Sequence, residues 1–427
     1  MIKPSYKELI FIWTKIGAMS FGGPAAQILL MFNEIVERRK WLEERAFNSA
    51  LSFCMLIPGP EAMQLATYLG WRTHGVLGGL VAGLLFVLPG AFVVGILSVI
   101  YIYYGTNYYM KSVFLGIQSA VVIIIIDALV KLAKRSVNSL SKTATATVTF
   151  ILLYCYQAPF ALVILGVGLT AYIFSKEKLQ SDPTITEQIG HKTIWITGGT
   201  WLGIWLLPLI VLSILFFDSI FVELAWLFSK LAVLSFGGAY AVLAYMSQTV
   251  VVDNQWLTPE MMMDGLGLAE TTPGPLILVT EFVGIVSAAL SNEEISITRG
   301  LLGGSVTLWA TFAPCFLWIF LGAPYVDWIT QQPKLEYTLS MVSAAVTGVI
   351  LNLFFWFSTH IFFSETLVSS ILGSTTTLPR LQSVQFAPII ISLVALSVRK
   401  KLGVFGTILL CATIPLIFEL SPHIFAR

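Results

Sequence analysis

The sequence predicts an all-α, polytopic integral membrane protein made of two homologous repeats. Three observations carry that prediction: a composition too apolar for water, apolar runs of membrane-span length, and a register on which the chain matches itself. Of 427 residues, 57% are hydrophobic and 11% charged, against roughly 25% charged in soluble domains. Mean hydropathy is +0.85. These figures exclude a soluble enzyme, a disordered chain and a nucleic-acid binder, and a net charge of +1 offers no field for a polyanion. The apolar runs are continuous rather than alternating, which argues against a barrel.

A spanning helix takes about 20 mostly apolar residues. In chain order the candidate segments are 9–33, 75–103, 113–130, 143–174, 194–217, 219–246, 300–323, 338–357, 361–372 with 384–398, and 402–420. Segment 143–174 is too long for one straight span, and Gln157-Ala158-Pro159 is expected to divide it into two short helices. Two further stretches, 46–71 and 261–290, are each broken by Pro-Gly-Pro and read as re-entrant elements. About 10–13 embedded elements result. The first apolar segment contains Lys15 and lacks an A-x-A-like cleavage site, so it is expected to stay in the mature protein. Cys54, Cys155, Cys315 and Cys411 are scattered singly and read as buried hydrophobes.

The polar stretch 176–193 reads as a linker, and the chain on either side of it repeats. An offset of 215 places Lys15 on Lys230, Ser20-Phe21-Gly22-Gly23 on Ser235-Phe236-Gly237-Gly238, and Pro58-Gly59-Pro60 on Pro273-Gly274-Pro275. After an insertion near 291–296 the offset becomes 225, where Gly78-Gly79 meets Gly303-Gly304 and Asp127 meets Asn352. The expected organisation is an N-terminal repeat over 1–175, the linker, an additional helix over 194–218, and a C-terminal repeat over 219–427. Residues 1–192 hold 16 Lys+Arg and 10 Asp+Glu, whereas 193–427 hold 8 and 13. Under the positive-inside rule that opposition favours inverted repeats, a plan common among secondary transporters. Arg399-Lys400-Lys401 in the second half pulls the other way.

Adjacent glycines after Ser20-Phe21 and Ser235-Phe236 lie inside otherwise good spans. They fit either close helix packing or a break that exposes backbone amides, and their recurrence favours the break. The two Pro-Gly-Pro motifs cannot continue a helix. Pro60 and Pro275 are expected to start helices at Glu61 and Leu276, whose N-termini offer unpaired N–H groups to an anion. Ionisable residues within apolar segments are costly and point to function. Lys15 and Lys230 stand as paired cations for an anion; Glu61, Asp127, Glu270 and Glu281 stand as coupling or gating carboxylates, each with the alternative of an ordinary ion pair. The tyrosines from Tyr101 to Tyr109 read as an interfacial belt. No metal-ligand cluster, cofactor fingerprint or catalytic constellation occurs, so no cofactor, metal or enzyme activity is expected.

A duplicated unit reading K-x4-S-F-G-G, then a charged loop with Trp-Leu, then P-G-P-x3-Q-x3-Y-x-G resembles the chromate transporter family in its long, two-unit form. The better-matched copy is Lys15, Ser20-Phe21-Gly22-Gly23-Pro24, Trp41, Pro58-Gly59-Pro60, Gln64, Tyr68 and Gly70. The resemblance implies a multi-pass protein of the cell (inner or plasma) membrane that exports chromate, with sulfate as its look-alike dianion, driven by membrane potential or a proton gradient. In the second copy Pro24, Gln64 and Tyr68 become Ala239, Val279 and Val283. A carrier for another anion such as a carboxylate, and a membrane-embedded enzyme or lipid-handling protein, are the alternatives. The expected partners are the oxyanion and the bilayer, not nucleic acid, and a homodimer is left open.

Overall fold

The computed structural model describes residues 3–105, 107–175, 191–217, 219–236, 239–371 and 374–425. They form an all-α protein with one small hairpin. α1 (Tyr6–Met19) and α2 (Gly23–Phe32) are separated by the first Ser-Phe-Gly-Gly, and α2 runs into a π-helical turn, Asn33–Arg38. α3 (Glu44–Leu56) leads to the first Pro-Gly-Pro. α4 (Glu61–Tyr104) is two helices joined at a kink where His74 and Gly75 leave helical geometry. α5 (Tyr108–Ser136), α6 (Leu140–Tyr154) and α7 (Phe160–Phe174) complete the first half; of the expected linker 176–193, residues 176–190 lie outside the described residues and 191–193 already belong to α8 (His191–Leu215).

The second half repeats the plan. α9 (Ile220–Leu234) and α10 (Ala239–Ser247) flank the second Ser-Phe-Gly-Gly, and α10 again runs into a π-helical turn, Gln248–Asp253. α11 (Pro259–Thr271) leads to the second Pro-Gly-Pro, followed by α12 (Val279–Ala289), α13 (Ile297–Gly322), the short α14 (Val326–Ile329), α15 (Pro333–Phe362) and α16 (Phe386–Phe425). Ser5, Asn107, Ser139 and Ser296 each precede a helix and accept an N–H from its first turn, supplying partners that the helix itself cannot. Six helices among the described residues are long and apolar enough to cross a membrane, lying within α4, α5, α8, α13 with the 3₁₀ turn Ala323–Tyr325 that extends it, α15 and α16. The chain is a multi-pass membrane protein.

Several expected elements take this form. Segment 143–174 is divided at Gln157–Pro159, where Gln157 adopts φ 49°. Segments 9–33 and 219–246 are broken in two. Segment 361–372 is not part of a span: α15 stops at Phe362, and the chain forms an antiparallel hairpin of β1 (Thr366–Ile371) and β2 (Ser374–Pro379), paired from Thr366↔Pro379 to Ile371↔Ser374. Its run of Ser, Thr and β-branched residues favours strand over helix. The last two candidates, 384–398 and 402–420, join in α16 with a kink at Gly403. The helix at the second Pro-Gly-Pro begins as a 3₁₀ turn, Leu276–Leu278, before α12.

Residues group into two compact units, each drawing on both halves. The first holds Met1–Ile96, Thr170–Val242 and Thr272–Leu339; the second holds Leu97–Leu169, Leu243–Thr271 and Ser340–Arg427. Within the first, each Pro-Gly-Pro helix folds back on its successor. The Glu61–Thr73 arm of α4 packs on the arm beyond the kink so closely that a Cβ on Gly70 would overlap the Gly78 carbonyl, and α12 meets α13 where Gly284 faces Gly303 and Thr307. Small residues permit such backbone approach and hence dense dispersion contact. Within the second unit α5 and α16 form the main pair, and the Ser392 hydroxyl donates to the Ser119 carbonyl at 2.9 Å.

An ion cluster around one buried carboxylate ties α1 to the turn after α2. Glu34, in the π-helical turn after α2, is 3% exposed and receives Lys15 of α1 at 2.9 Å, Arg38 at 2.8 Å and the Arg39 guanidinium. Burial pushes the Glu34 carboxyl up, but Lys15 and Arg39 outweigh it and hold it below the ordinary carboxylate value. A carboxyl lowered by folding stabilises the fold above its unfolded pKa near 4.5, and that contribution is lost as pH falls through the lower folded value. Glu34→Gln should therefore cost about 1–3 kcal/mol at neutral pH, read as earlier thermal unfolding in detergent, with the difference from the parent vanishing in strong acid. Equal unfolding temperatures at pH 7 would show that the cluster contributes nothing.

Candidate functional site

The motifs of both halves meet within the first unit. α1 ends at Ser20 with φ/ψ of −79° and 58°, and α9 ends at Ser235 with −79° and 55°. Phe21 then donates its N–H to the Met19 carbonyl at 2.9 Å, and Phe236 donates to Leu234 at 2.9 Å, so the two turns repeat in detail. Each helix end leaves carbonyls for which the helix has no donor, and each turn finds a donor in the other half. The Gly274 N–H donates to the Ser20 carbonyl at 3.0 Å, and the Gly59 N–H donates to the Ser235 carbonyl at 3.2 Å. Ser20 and Ser235 are repeat equivalents, as are Gly59 and Gly274, so the exchange is reciprocal.

Backbone conformation explains the glycines of the two Pro-Gly-Pro turns. Gly59 has φ 130° and Gly274 has φ 94°, which L side chains avoid, and a Cβ on Gly59 would overlap the Gln64 amide. After Phe21 the chain passes through two further positive-φ residues, Gly22 (89°) and Gly23 (80°), before α2 begins with Pro24 in its first turn. Two glutamines brace the crossing. Buried Gln27 donates its Nε2 to both the Ser20 carbonyl (3.1 Å) and the Gly274 carbonyl (2.6 Å), and buried Gln64 donates its Nε2 to the Pro58 carbonyl at 2.6 Å. Their Oε1 atoms have no hydrogen-bond partner. The second half has Val242 and Val279 at the equivalent positions, so the bracing is one-sided.

A small cavity lies beside the crossing, lined by Gly59, Pro60, Ser235, Ile277, Thr280 and Thr311 together with apolar side chains of α9 and α10. It offers about 20 Å³ to the centre of a water-sized sphere, which is room for a water or two. Among the described residues no charged side chain lines it. The Thr311 hydroxyl donates to Thr280 Oγ1 at 3.4 Å. Nearby in the same unit, Glu281 of α12 is 6% exposed, its Oε2 lacks a hydrogen-bond partner, and a Cβ on Gly95 would lie 3.4 Å from its Oε1.

The predicted residues thus separate. Ser20, Pro58, Gly59, Pro60, Gln64, Ser235, Pro273, Gly274 and Pro275 come together around the crossing. Phe21, Gly22 and Gly23 form the first turn, with Phe21 40% exposed, and Phe236 is half-buried in the second. Gly237 and Gly238 lie outside the described residues. Lys15 is held by Glu34, away from the cavity lining. Lys230 lines a different feature, a groove with Trp205 and Trp226. Glu61 opens α4. Asp127 belongs to the second unit, where it receives Lys131 at 2.7 Å and Arg399 at 3.0 Å; the ordinary ion pair is the observed state. Glu270, buried at the end of α11, also belongs to the second unit.

Residues not anticipated include Gln27, Glu34 and a buried cluster in the second unit. There Asp264 is 5% exposed and accepts Tyr101 Oη at 2.8 Å and Gln118 Nε2 at 2.7 Å. Tyr101 is therefore a core residue, whereas Tyr103, Tyr104, Tyr108 and Tyr109 are exposed as a belt would be. The same unit encloses a larger polar and aromatic cavity, lined by Gln157, Ser247, Gln248, Asn352, Trp356 and His360 among others. The only sequence signal for Asp264 and Gln118 was a polar residue in an apolar setting.

A family model for chromate transporters matches residues 7–172 and 222–416. The probable chromate transport protein of Synechococcus elongatus is 30% identical over 82% of this chain and 84% of its own length. The chromate transport protein of Cupriavidus metallidurans is 28% identical over 81% and 82%. An uncharacterized transporter of Methanocaldococcus jannaschii is 24% identical over 81% and 83%. No solved structure matches the chain. The match to both halves of the sequence, each carrying one turn and one Pro-Gly-Pro of the crossing, makes this chain a member of the chromate transporter family.

Proposed function

We propose that this chain is a secondary carrier that exports chromate, or the near-isosteric sulfate, across the inner or plasma membrane. The observation that carries this reading is the reciprocal crossing at Ser20–Gly274 and Ser235–Gly59. Non-helical backbone within an apolar protein is tolerated where it is buried or lines a cavity, and here the first Pro-Gly-Pro turn and the turn at Ser235 line one small space together with Ile277, Thr280 and Thr311. An anion entering it would compete with the Ser235 carbonyl for the Gly59 amide. Binding and loosening of the crossing are then the same event, as a carrier requires. The lysines contribute outside this space, so recognition rests on uncharged donors and helix ends.

Export is the favourable direction. One charge moved through 100 mV is worth about 2.3 kcal/mol, so a dianion leaving an inside-negative cell gains roughly 4.6 kcal/mol. Glu281, buried and without a cationic partner among the described residues, is the proposed proton-carrying group for any coupling to a proton gradient.

Labelled chromate accumulation in inside-out vesicles should rise with an inside-positive potential and fall with excess sulfate; potential-independent movement would reject the electrogenic carrier. Gly274→Ala forces a side chain onto a positive-φ residue at about 1–2 kcal/mol, which should reduce transport roughly 5–30-fold while leaving membrane insertion intact. A wild-type rate in that variant would remove the crossing from the mechanism. Glu281→Gln should abolish stimulation by a pH gradient yet keep the potential-driven component. Retained pH stimulation would assign coupling elsewhere.

A further inference from the structure

α16 is a helical hairpin rather than one straight helix. At Gly403 the backbone takes φ 68° and ψ −175°, outside helical geometry. Cys411 Sγ lies 4.0 Å from the Ile391 carbonyl, although a straight helix would separate those positions by about 30 Å. The two arms therefore fold back on each other, and Arg399-Lys400-Lys401 stands at the tip beside Gly403. The hairpin packs along α5: Ser392 donates to the Ser119 carbonyl, the Arg399 guanidinium donates to the Ile123 carbonyl at 3.4 Å, and a Cβ on Gly116 would overlap the Cys411 carbonyl.

This packing gathers two basic segments at one end of the second unit. Asp127 receives Arg399 at 3.0 Å and Lys131 at 2.7 Å, and Lys134 and Arg135 follow in the last turn of α5. Asp127 is the only carboxylate in α5 or between positions 386 and 418. Lys131, Lys134, Arg135, Lys400 and Lys401 are all exposed, and Lys134, Lys400 and Lys401 make no ion pair among the described residues. Helix C-termini favour a nearby cation, but that preference does not call for a cluster of this size.

The patch also begins where the apolar surface ends. Val130, Leu396, Leu402 and Phe405 are each more than 40% exposed beside it, so the cations border a lipid-facing surface at the depth where long basic side chains meet headgroups. Along the sequence, Arg399-Lys400-Lys401 opposes the charge balance of its own half. In space it joins Lys131–Arg135, on the side that the positive-inside rule gives to the cytoplasm.

We propose that this patch is a binding surface for anionic phospholipid headgroups of the cytoplasmic leaflet. Lipid phosphates accept from Lys134, Lys400 and Lys401, and acyl chains lie against Leu396, Leu402 and Phe405. The headgroups supply the negative charge that these segments lack, which gives preference over zwitterionic lipid.

Native mass spectrometry of the full chain, released from nanodiscs of equal phosphatidylglycerol and phosphatidylcholine, tests this. Phosphatidylglycerol adducts should exceed phosphatidylcholine adducts about fivefold or more. Changing Lys134, Lys400 and Lys401 together to Gln should lower that ratio about threefold or more, whereas changing the same three to Arg should keep it. Lys111→Gln, altering an exposed lysine at the opposite end of α5, should leave it unchanged. Millimolar inorganic phosphate should not displace the adduct, because it lacks the acyl chain. Equal adducts for the two lipids, an unchanged ratio in the triple Gln variant with its helical circular dichroism intact, an equal loss in Lys111→Gln, or displacement by inorganic phosphate would each overturn the proposal.

Discussion

Two backbone hydrogen bonds set the constraint on which the first unit depends. A chain that breaks its own helices in an apolar setting must find partners for the freed carbonyls and amides, since leaving one unmade costs about 1–3 kcal/mol. Here the breaks of one half satisfy the breaks of the other, Ser20 with Gly274 and Ser235 with Gly59. The positive-φ glycines, the prolines that stop the helices and the Gln27 and Gln64 amides all serve this exchange. The closely packed helix pairs beyond it hold the two Pro-Gly-Pro turns in position.

Duplication produces a shared backbone plan, and divergence of side chains then makes the halves unequal. The first half braces the crossing with two amides where the second has valines. It also neutralises its lysine internally through Glu34, whereas Lys230 is left to its surroundings. The second half in turn keeps the buried Glu281, at whose equivalent position the first half has Ala66. These substitutions make the two halves chemically unequal on a common backbone.

The breaks were legible in the sequence because glycine and proline act locally: the division at Gln157–Pro159, the turns after Ser20 and Ser235, and the start of α4 at Glu61 follow from a few neighbouring residues. Fold class was legible from composition alone. What escaped depended on distance along the chain. Lys15 meets Glu34 nineteen residues away, and Asp264 meets Tyr101 and Gln118 across 163 and 146 residues, separations on which periodicity is silent. The hairpin at 366–379 was obscured by the apolar residues on either side, which extended the hydropathy signal over a segment whose side-chain chemistry favours strands.

Because the crossing joins distant parts of the chain, it also fixes an order of biosynthesis. Gln27 and its acceptor at Gly274 are 247 residues apart, so at about 5–20 residues per second a ribosome needs roughly 12–50 s to deliver the second after the first. Throughout that interval the Ser20 carbonyl lacks the Gly274 N–H and has only the Gln27 amide of its own half as a donor. The crossing within the first unit therefore closes only once the second Pro-Gly-Pro has been made.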